Sequence, residues 1–132
     1  PVGKKAPLLP AGWIESEPDG DEASGGVIKR FSSPDQTASI TIARVPSGGR
    51  MLNEIGAGWA RERGAGVVKQ RWGRRENADF FWSLARSPGR AVMELYVLES
   101  GDGAIVISGT APRDRYTVFK AHLDAVFESV AR

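Results

Sequence analysis

Four strand-like runs follow one another along the second half of the chain, at residues 67–75, 79–87, 91–100 and 104–110. Aromatic and β-branched side chains are frequent in these runs, as they are in half-buried sheets. The connections "ENA", "SPGR" and "GDG" are short and consist of residues that favour turns. Because short connections join antiparallel neighbours, the pattern predicts a four-stranded antiparallel meander.

Two further strands are predicted before the meander, at residues 27–33 and 37–45. Ala38, Ile40 and Ile42 alternate with smaller or polar residues, which is the period-2 pattern of a half-buried strand. The sequence "SPDQ" between the runs places proline and aspartate where a tight turn favours them. These residues predict an antiparallel hairpin.

Two helices are predicted, one between the hairpin and the meander and one at the end of the chain. Leu52, Ile55 and Trp59 recur at helical spacing within residues 51–63. Gly56 and Gly58 each cost such a helix about 1 kcal/mol relative to alanine, which favours a backbone packed closely against a neighbour. The apolar stripe of the last helix consists of Tyr116, Phe119, Leu123, Val126, Phe127 and Val130. That helix is predicted to begin near Pro112 and to lie across the sheet.

The summed order is β-β-α-β-β-β-β-α. It predicts an α+β fold in which an antiparallel sheet of about six strands is flanked by helices.

The length of 132 residues fits one domain, which we place at residues 13–132. Residues 1–12, "PVGKKAPLLPAG", contain three prolines and predict an extended tether. The chain begins without methionine, which suggests a trimmed precursor and a removed export signal. Because of this suggested export signal, a periplasmic or cell-envelope location is favoured over a cytoplasmic one. No apolar run approaches the roughly 20 residues that a membrane-spanning helix needs.

Residues that commonly carry catalysis or bind metal are scarce. The chain has no cysteine and one histidine, His122, so thiol chemistry, disulfides and a zinc site are excluded. His122 lies one residue from the apolar stripe of the last helix, which predicts a partly exposed structural histidine. "DGDE" at residues 19–22 lacks the spacing of a calcium loop and is interpreted as a solvated acidic loop. We therefore predict no catalytic residues, no metal site and no cofactor, and expect that the chain is not an enzyme.

The stretch "KQRWGRRENADFFW", residues 69–82, combines cations with aromatic rings. In a strand, Lys69, Arg71 and Arg75 would share one face, and Trp72 and Arg74 the other. This division disfavours a nucleic-acid platform, which needs rings and cations on the same face, and the net charge of only +2 adds no bulk attraction. Two interpretations remain: a solvated strand edge, or a surface for an acidic protein partner carried by Arg71, Arg74 and Arg75.

Several aromatic residues support an alternative function. A pocket between the sheet and a helix could hold a small ligand or a lipid, and its candidate lining residues are Trp59, Phe80, Trp82, Tyr96 and Phe119. The competing interpretation is that these rings fill the core, as aromatic side chains commonly do.

Three segments resemble the PsbP-like superfamily, which takes in the photosystem II extrinsic protein PsbP, the Ran-binding Mog family and bacterial DcrB-type proteins. They are "LPAGW" at residues 9–13, "FSSPDQTASITIARV" at residues 31–45 and "ISGTAPRDRYTVFKAHLDAVFESV" at residues 107–130. The resemblance implies a central antiparallel sheet between helices and a non-enzymatic accessory role. No functional residue of the superfamily can be transferred to a position of this chain.

The residues and the resemblance together predict an accessory or partner-binding domain of a bacterial protein, exported and tethered at its N-terminus. Its partner is expected to be a protein that the sequence does not identify. The oligomeric state is left open.

Overall fold

The computed structural model describes residues 12–131, so the predicted tether, apart from Gly12, lies outside the described residues. The strands are β1 (Ile14–Ser16), β2 (Val27–Ser32), β3 (Ser39–Pro46), β4 (Gly66–Arg75), β5 (Ala78–Ser87), β6 (Ala91–Ser100) and β7 (Gly103–Pro112). The helices are α1 (Gly20–Ser24), α2 (Leu52–Glu62) and α3 (Tyr116–Ala131), and a 3-10 turn at Arg113–Arg115 precedes α3. The α+β class is confirmed, and the predicted order of elements recurs from β2 onward.

The prediction of about six strands is corrected to seven, because β1 and α1 precede the predicted elements. The segment interpreted as a solvated acidic loop forms α1. The Asp19 carboxylate accepts a hydrogen bond from the Glu22 amide at 2.7 Å, and the Glu22 carboxylate accepts one from the Asp19 amide at 3.1 Å. This capping box satisfies amides that the first helical turn leaves free. β1 is three exposed residues, held in place by pairing with β2 rather than by an apolar pattern of its own.

All strands pair antiparallel in one sheet with the order β1-β2-β3-β7-β6-β5-β4. β4 to β7 form the predicted meander, and β7 then pairs with β3 of the N-terminal hairpin. β1 and β4 are consequently the two edges of the sheet.

Helices cover the sheet on opposite faces, so that two separate cores flank it. The core under α3 contains Phe31, Ile40, Ile42, Phe80, Trp82, Tyr96, Leu98, Ile105, Ile107, Ala111, Phe119, Leu123, Val126, Phe127 and Val130. The core under α2 contains Val27, Ala43, Leu52, Ile55, Trp59, Ala60, Phe81, Ala85, Met93, Leu95, Val97, Ala104 and Val106. Adjacent residues of one strand enter different cores because side chains alternate across a sheet.

Glycines let both helices approach the sheet closely. A Cβ atom at Gly56 of α2 would lie 2.9 Å from the Phe81 ring, closer than carbon atoms can pack. This contact confirms the prediction that the α2 backbone packs against a neighbour. Gly58 has no such contact: the nearest atom to its hypothetical Cβ is a guanidinium nitrogen of Arg61 at 3.8 Å. Gly109 of β7 plays the corresponding role under α3, where the Phe119 ring occupies the space that its Cβ would need.

The prediction that Pro112 lies in the first turn of the last helix is wrong. Pro112 is the last residue of β7, opposite Ala91, and α3 begins four positions later at Tyr116. Proline is tolerated there because it ends the strand and therefore interrupts no continuing ladder.

Candidate functional site

β4 is an edge strand that is exposed along most of its length. Within residues 12–131 its only strand neighbour is β5, and eight of its ten residues are exposed. It carries Lys69, Arg71, Arg74 and Arg75 but no acidic residue. The large apolar side chains exposed on the same strand are Val67, Val68 and Trp72. The β4 edge, meaning the backbone and side chains of Gly66–Arg75, is therefore open, cationic and partly apolar.

The cations of the β4 edge are divided between the two faces of the sheet, as the alternation predicted. Residues directly opposite each other in an antiparallel pair share a face. Arg71 lies opposite Trp82 of the α3-side core, whereas Trp72 lies opposite Phe81 of the α2-side core. The α3 face therefore carries Lys69, Arg71 and Arg75, and the α2 face carries Trp72 and Arg74.

The three arginines predicted to bind a partner differ in their contacts within the chain. Arg74 forms an exposed ion pair with Asp79 at 3.3 Å, and Arg75 forms one with Glu128 of α3. Arg71 has no carboxylate partner in residues 12–131; its guanidinium lies over the Trp82 ring, 4.8 Å from the centroid. The structure thus brings the three to one strand but leaves only Arg71 free of an intramolecular ion pair.

Aromatic rings of β5 pack against residues of β4. The Trp72 ring packs edge-on against Phe81 at a centroid distance of 5.6 Å and remains 49% exposed. The Phe80 ring occupies the space above Gly73, where a Cβ would collide with it. Phe80 and Phe81 are buried, as is Trp82, which confirms the prediction that this aromatic triplet belongs to the core.

The five candidate pocket residues do not surround one space. Trp59 lies in the core under α2, on the face of the sheet opposite to the other four. Phe80 and Tyr96 pack edge-on at a centroid distance of 5.6 Å, inside the core under α3. The apolar period of a helix does not encode which face of a sheet the helix covers, so Trp59 could not be separated from the other four residues by sequence.

A cavity of about 460 Å³ does exist, between the β2–β3 turn and the first half of α3. Of the five candidate residues, only Phe119 lines it. The Trp13 and His122 rings meet edge-on in its wall at a centroid distance of 5.7 Å. Val118 is 66% exposed at its rim, so the cavity opens to solvent. His122 is thus the partly exposed helix residue that was predicted.

One carboxylate in the cavity wall is strongly stabilised in its charged form. Asp35 accepts hydrogen bonds from the Ser33 hydroxyl at 2.8 Å and from the hydroxyl and amide of Thr37 at 2.8 and 3.1 Å. These bonds, led by that from Ser33 and assisted by the charge of Arg115, hold the pKa of the Asp35 carboxyl well below its ordinary value of 3.8. Asp35 and Arg115 also form an ion pair, which joins the β2–β3 turn to the 3-10 turn.

A buried charged group that the sequence did not predict lies between β6 and α3. Glu94 has no exposed surface. Its carboxylate accepts hydrogen bonds from the Trp82 indole, from Lys120 Nζ at 2.8 Å and from the Tyr116 hydroxyl at 3.2 Å. We call Glu94, Trp82, Tyr116 and Lys120 the Glu94 cluster. The only sequence signal for it is a single acidic residue within the apolar run "VMELYVL".

Of the two tyrosines of the chain, Tyr116 belongs to the Glu94 cluster and Tyr96 lies beside it. Burial, followed by a 2.7 Å hydrogen bond to Asp124, raises the pKa of the Tyr96 hydroxyl far above its ordinary value of 10.0. Burial, followed by the charge of Glu94, also raises the pKa of Tyr116. Burial acts this way because it disfavours the phenolate form. The cluster therefore joins α3 to the sheet through neutral phenols.

Residues 12–131 contain neither a membrane-spanning helix nor a cluster of metal-binding side chains. No helix in this part of the chain is long and apolar enough to cross a membrane. No group of three or more His, Asp or Glu side chains there is arranged to hold a metal ion.

Comparison with known proteins identifies the fold. No protein-family model and no curated protein sequence matches the chain. The solution structure of cyanobacterial PsbP (CyanoP) from Synechocystis sp. PCC 6803 matches with a TM-score of 0.69 and 20% identity, over 93% of this chain and 83% of that one. A Pseudomonas aeruginosa protein of unknown function, PA94, described as a putative regulator, matches with a TM-score of 0.50 and 11% identity, over 89% of this chain and 79% of that one. The predicted resemblance is thus confirmed at the level of structure: the chain has the PsbP-like fold.

Proposed function

We propose that this chain is a non-enzymatic accessory domain of a bacterial cell envelope that binds an acidic protein partner through the β4 edge. Arg71, Arg74 and Arg75 supply the electrostatic attraction, and residues 1–12 tether the domain, residues 13–132, after export. The proposal assigns no catalytic residue and no cofactor.

The observation that carries the proposal is the combination of an open strand edge with four cations and no acidic residue on the strand itself. Natural sheets commonly cover their edges or keep them short. β1 conforms, since it has three residues, but β4 has ten and is not covered by another strand of the described part of the chain. Its four cations keep the edge soluble and at the same time select for partners of opposite charge.

The PsbP-like fold supports an accessory role, because most members of the superfamily that this chain resembles act with protein partners. An envelope location and the tether agree with the proline-rich start of the chain. A partner bound through an exposed cationic edge is expected to associate quickly and to be sensitive to salt.

The proposal is tested by capture experiments on extracts of the source organism. The wild-type domain is compared with R71E/R74E/R75E at ionic strengths of about 0.1 M and about 1 M, where the Debye length falls from about 10 Å to about 3 Å. We expect a partner that wild type retains at low salt and releases at high salt. The triple variant should lose it at both.

The control is K29E/R44E, which reverses two rather than three cations and places the change in β2 and β3, on the other half of the sheet. It should retain the partner. Because the triple variant also breaks the ion pairs of Arg74 and Arg75, circular dichroism must show that it is folded. Equal capture by the triple variant and wild type would refute the β4 edge as the binding surface, and turnover of a small molecule without any captured partner would refute the accessory role.

A small-ligand carrier is the second candidate function, and the cavity beside Trp13 and His122 favours it. Its volume of about 460 Å³ is within the range of roughly 300–1,000 Å³ found for small-molecule sites. Phe119 and Val118 provide apolar surface, and Asp35 with Arg115 provides polar groups at its wall.

Carriage is tested with the fluorescent probe anilinonaphthalene sulfonate, which has apolar rings and one negative charge. We expect V118E to abolish probe binding, because the new carboxylate at the cavity rim would remove apolar contact and repel the sulfonate. V68E, the same change at an exposed valine of β4, should leave binding intact. Failure of the wild type to bind the probe, or binding that V118E does not change, would remove this candidate.

A further inference from the structure

We infer that the partner adds an extended, acidic strand to the free edge of β4, with carboxylates opposite Lys69 and Arg71. This inference rests on the proposed function and specifies how the β4 edge would recognise its partner. The recognition would combine main-chain hydrogen bonds with side-chain charge, as in other cases of strand addition.

The backbone of β4 provides the length that strand addition needs. A bulge interrupts the pairing with β5 between Val67 and Lys69, and regular pairing continues from Lys69 to Arg75. Seven residues of extended chain span roughly 23 Å. The amides and carbonyls on the outer side of this segment have no strand neighbour in the described part of the chain. An added strand would satisfy them.

Charge selects an acidic strand. Arg74 and Arg75 are already paired with Asp79 and Glu128. Lys69 and Arg71 form no ion pair within residues 12–131, and they project on the same face two positions apart. Acidic residues at positions i and i+2 of an added strand would face both cations, since opposite charges directly across a strand pair attract.

The α2 face of β4 indicates which residues would alternate with the acidic residues of the added strand. Trp72 lies between Arg71 and Gly73 in sequence, projects to the α2 face and is half exposed. An apolar side chain across from it would bury part of the indole ring. The expected partner segment therefore alternates acidic with apolar residues.

A second copy of this chain is a poor occupant of the edge, because twofold antiparallel pairing of two β4 strands brings cations together. Pairing centred on Gln70 places Lys69 opposite Arg71, and pairing centred on Arg71 places two copies of Arg71 opposite each other. Pairing centred on Trp72 places Lys69 opposite Arg75. Like charges directly across a strand pair are destabilising.

The test uses a synthetic peptide of alternating glutamate and valine, about as long as β4, and the full chain. We expect binding by fluorescence anisotropy, together with slowed hydrogen exchange at amides of β4 and not of β1. K69E/R71E should weaken binding by about tenfold or more, because two attractions become repulsions. K29E/R44E should bind like the wild type, and a peptide with lysine in place of glutamate should not bind.

Backbone methylation separates strand addition from simple charge attraction. One peptide is methylated at the valine nitrogens and another at the glutamate nitrogens; only alternate nitrogens of an added strand face β4, so at least one peptide should fail to bind. If both bind like the parent while K69E/R71E still weakens them, strand addition is refuted but the charge-based function stands. If K69E/R71E has no effect on peptide binding, then both claims about the β4 edge are refuted: strand addition and charge-based binding.

Two further outcomes would overturn the inference. One is the absence of peptide binding up to about 1 mM. The other is a dimer of the protein alone in which β4 amides are protected without peptide, which would make a second copy the occupant.

Discussion

Replacing Glu94 with alanine is expected to lower the free energy of unfolding by about 3–5 kcal/mol, because two hydrogen-bond donors each lose their acceptor at about 1–3 kcal/mol apiece and the missing side chain leaves a cavity. The Trp82 indole would lose its acceptor inside the core, and the Tyr116 hydroxyl would lose the bond that joins α3 to β6. Typical domains have only about 5–15 kcal/mol of total stability. The measurement is chemical denaturation of the wild type and E94A.

The matched control for E94A is E94Q, which keeps an oxygen acceptor of similar shape but removes the charge. We expect E94Q to lose about 1–3 kcal/mol, as for a weakened hydrogen bond to a charged group. The difference in the free energy of unfolding between the wild type and E94Q measures the charge-dependent part of the cluster, and the further loss in E94A measures the part that depends on the acceptor and on packing. Equal stability of E94A and the wild type would show that the Glu94 cluster contributes nothing net to the fold.

Raising the pH above 10 is expected to destabilise the fold through Tyr96 and Tyr116. The pKa of each hydroxyl is raised in the folded state, so the unfolded chain releases its phenol protons first. The contribution of the neutral phenols is complete below pH 10 and is lost as the pH rises towards the folded pKa. For Tyr96 the loss is up to about 1.4 kcal/mol per pH unit, and for the less buried Tyr116 it is smaller because solvent screens its interactions. Tyr96, the more deeply buried, should dominate.

Ultraviolet absorbance of phenolate measures this effect without ambiguity, because the chain contains only two tyrosines. The folded protein should show no phenolate until well above pH 10, and phenolate should then appear together with unfolding. The chain unfolded in urea should titrate near the ordinary value of 10.0. Y96F should reduce the slope of stability against pH. A native protein that forms phenolate near pH 10 would contradict the buried, hydrogen-bonded placement of these hydroxyls.

Most of the fold could be predicted because its helices and strands have recognisable local sequence patterns. The strands of the meander alternate and are separated by turn residues, and α3 has a continuous apolar stripe. α1 and β1 could not be predicted in this way. α1 has five residues and no buried side chain, and β1 depends on its pairing with β2. The one local signal for α1 was the Asp19–Glu22 capping pattern, which its acidic composition obscured.

The candidate site was predictable only in part. Period-2 alternation correctly placed Arg71 and Trp72 on different faces of β4. It could not reveal that Glu128, in the last helix, pairs with Arg75, because that contact depends on how α3 crosses the sheet. The same reason explains why Glu94 was missed: its partners Tyr116 and Lys120 belong to an element that the sequence separates from β6.

The pairing of β3 with β7 has a consequence for how the chain is synthesised. β7 follows the other six described strands in the chain, and it pairs the N-terminal hairpin with the meander. Until β7 is synthesised, Ile40 and Ile42 of β3 lack their neighbouring strand, and α3, which follows β7, is not yet present to cover them or Phe31. A nascent chain therefore exposes an apolar hairpin until β7 and α3 are available, and contact with a chaperone during this interval would protect it from aggregation.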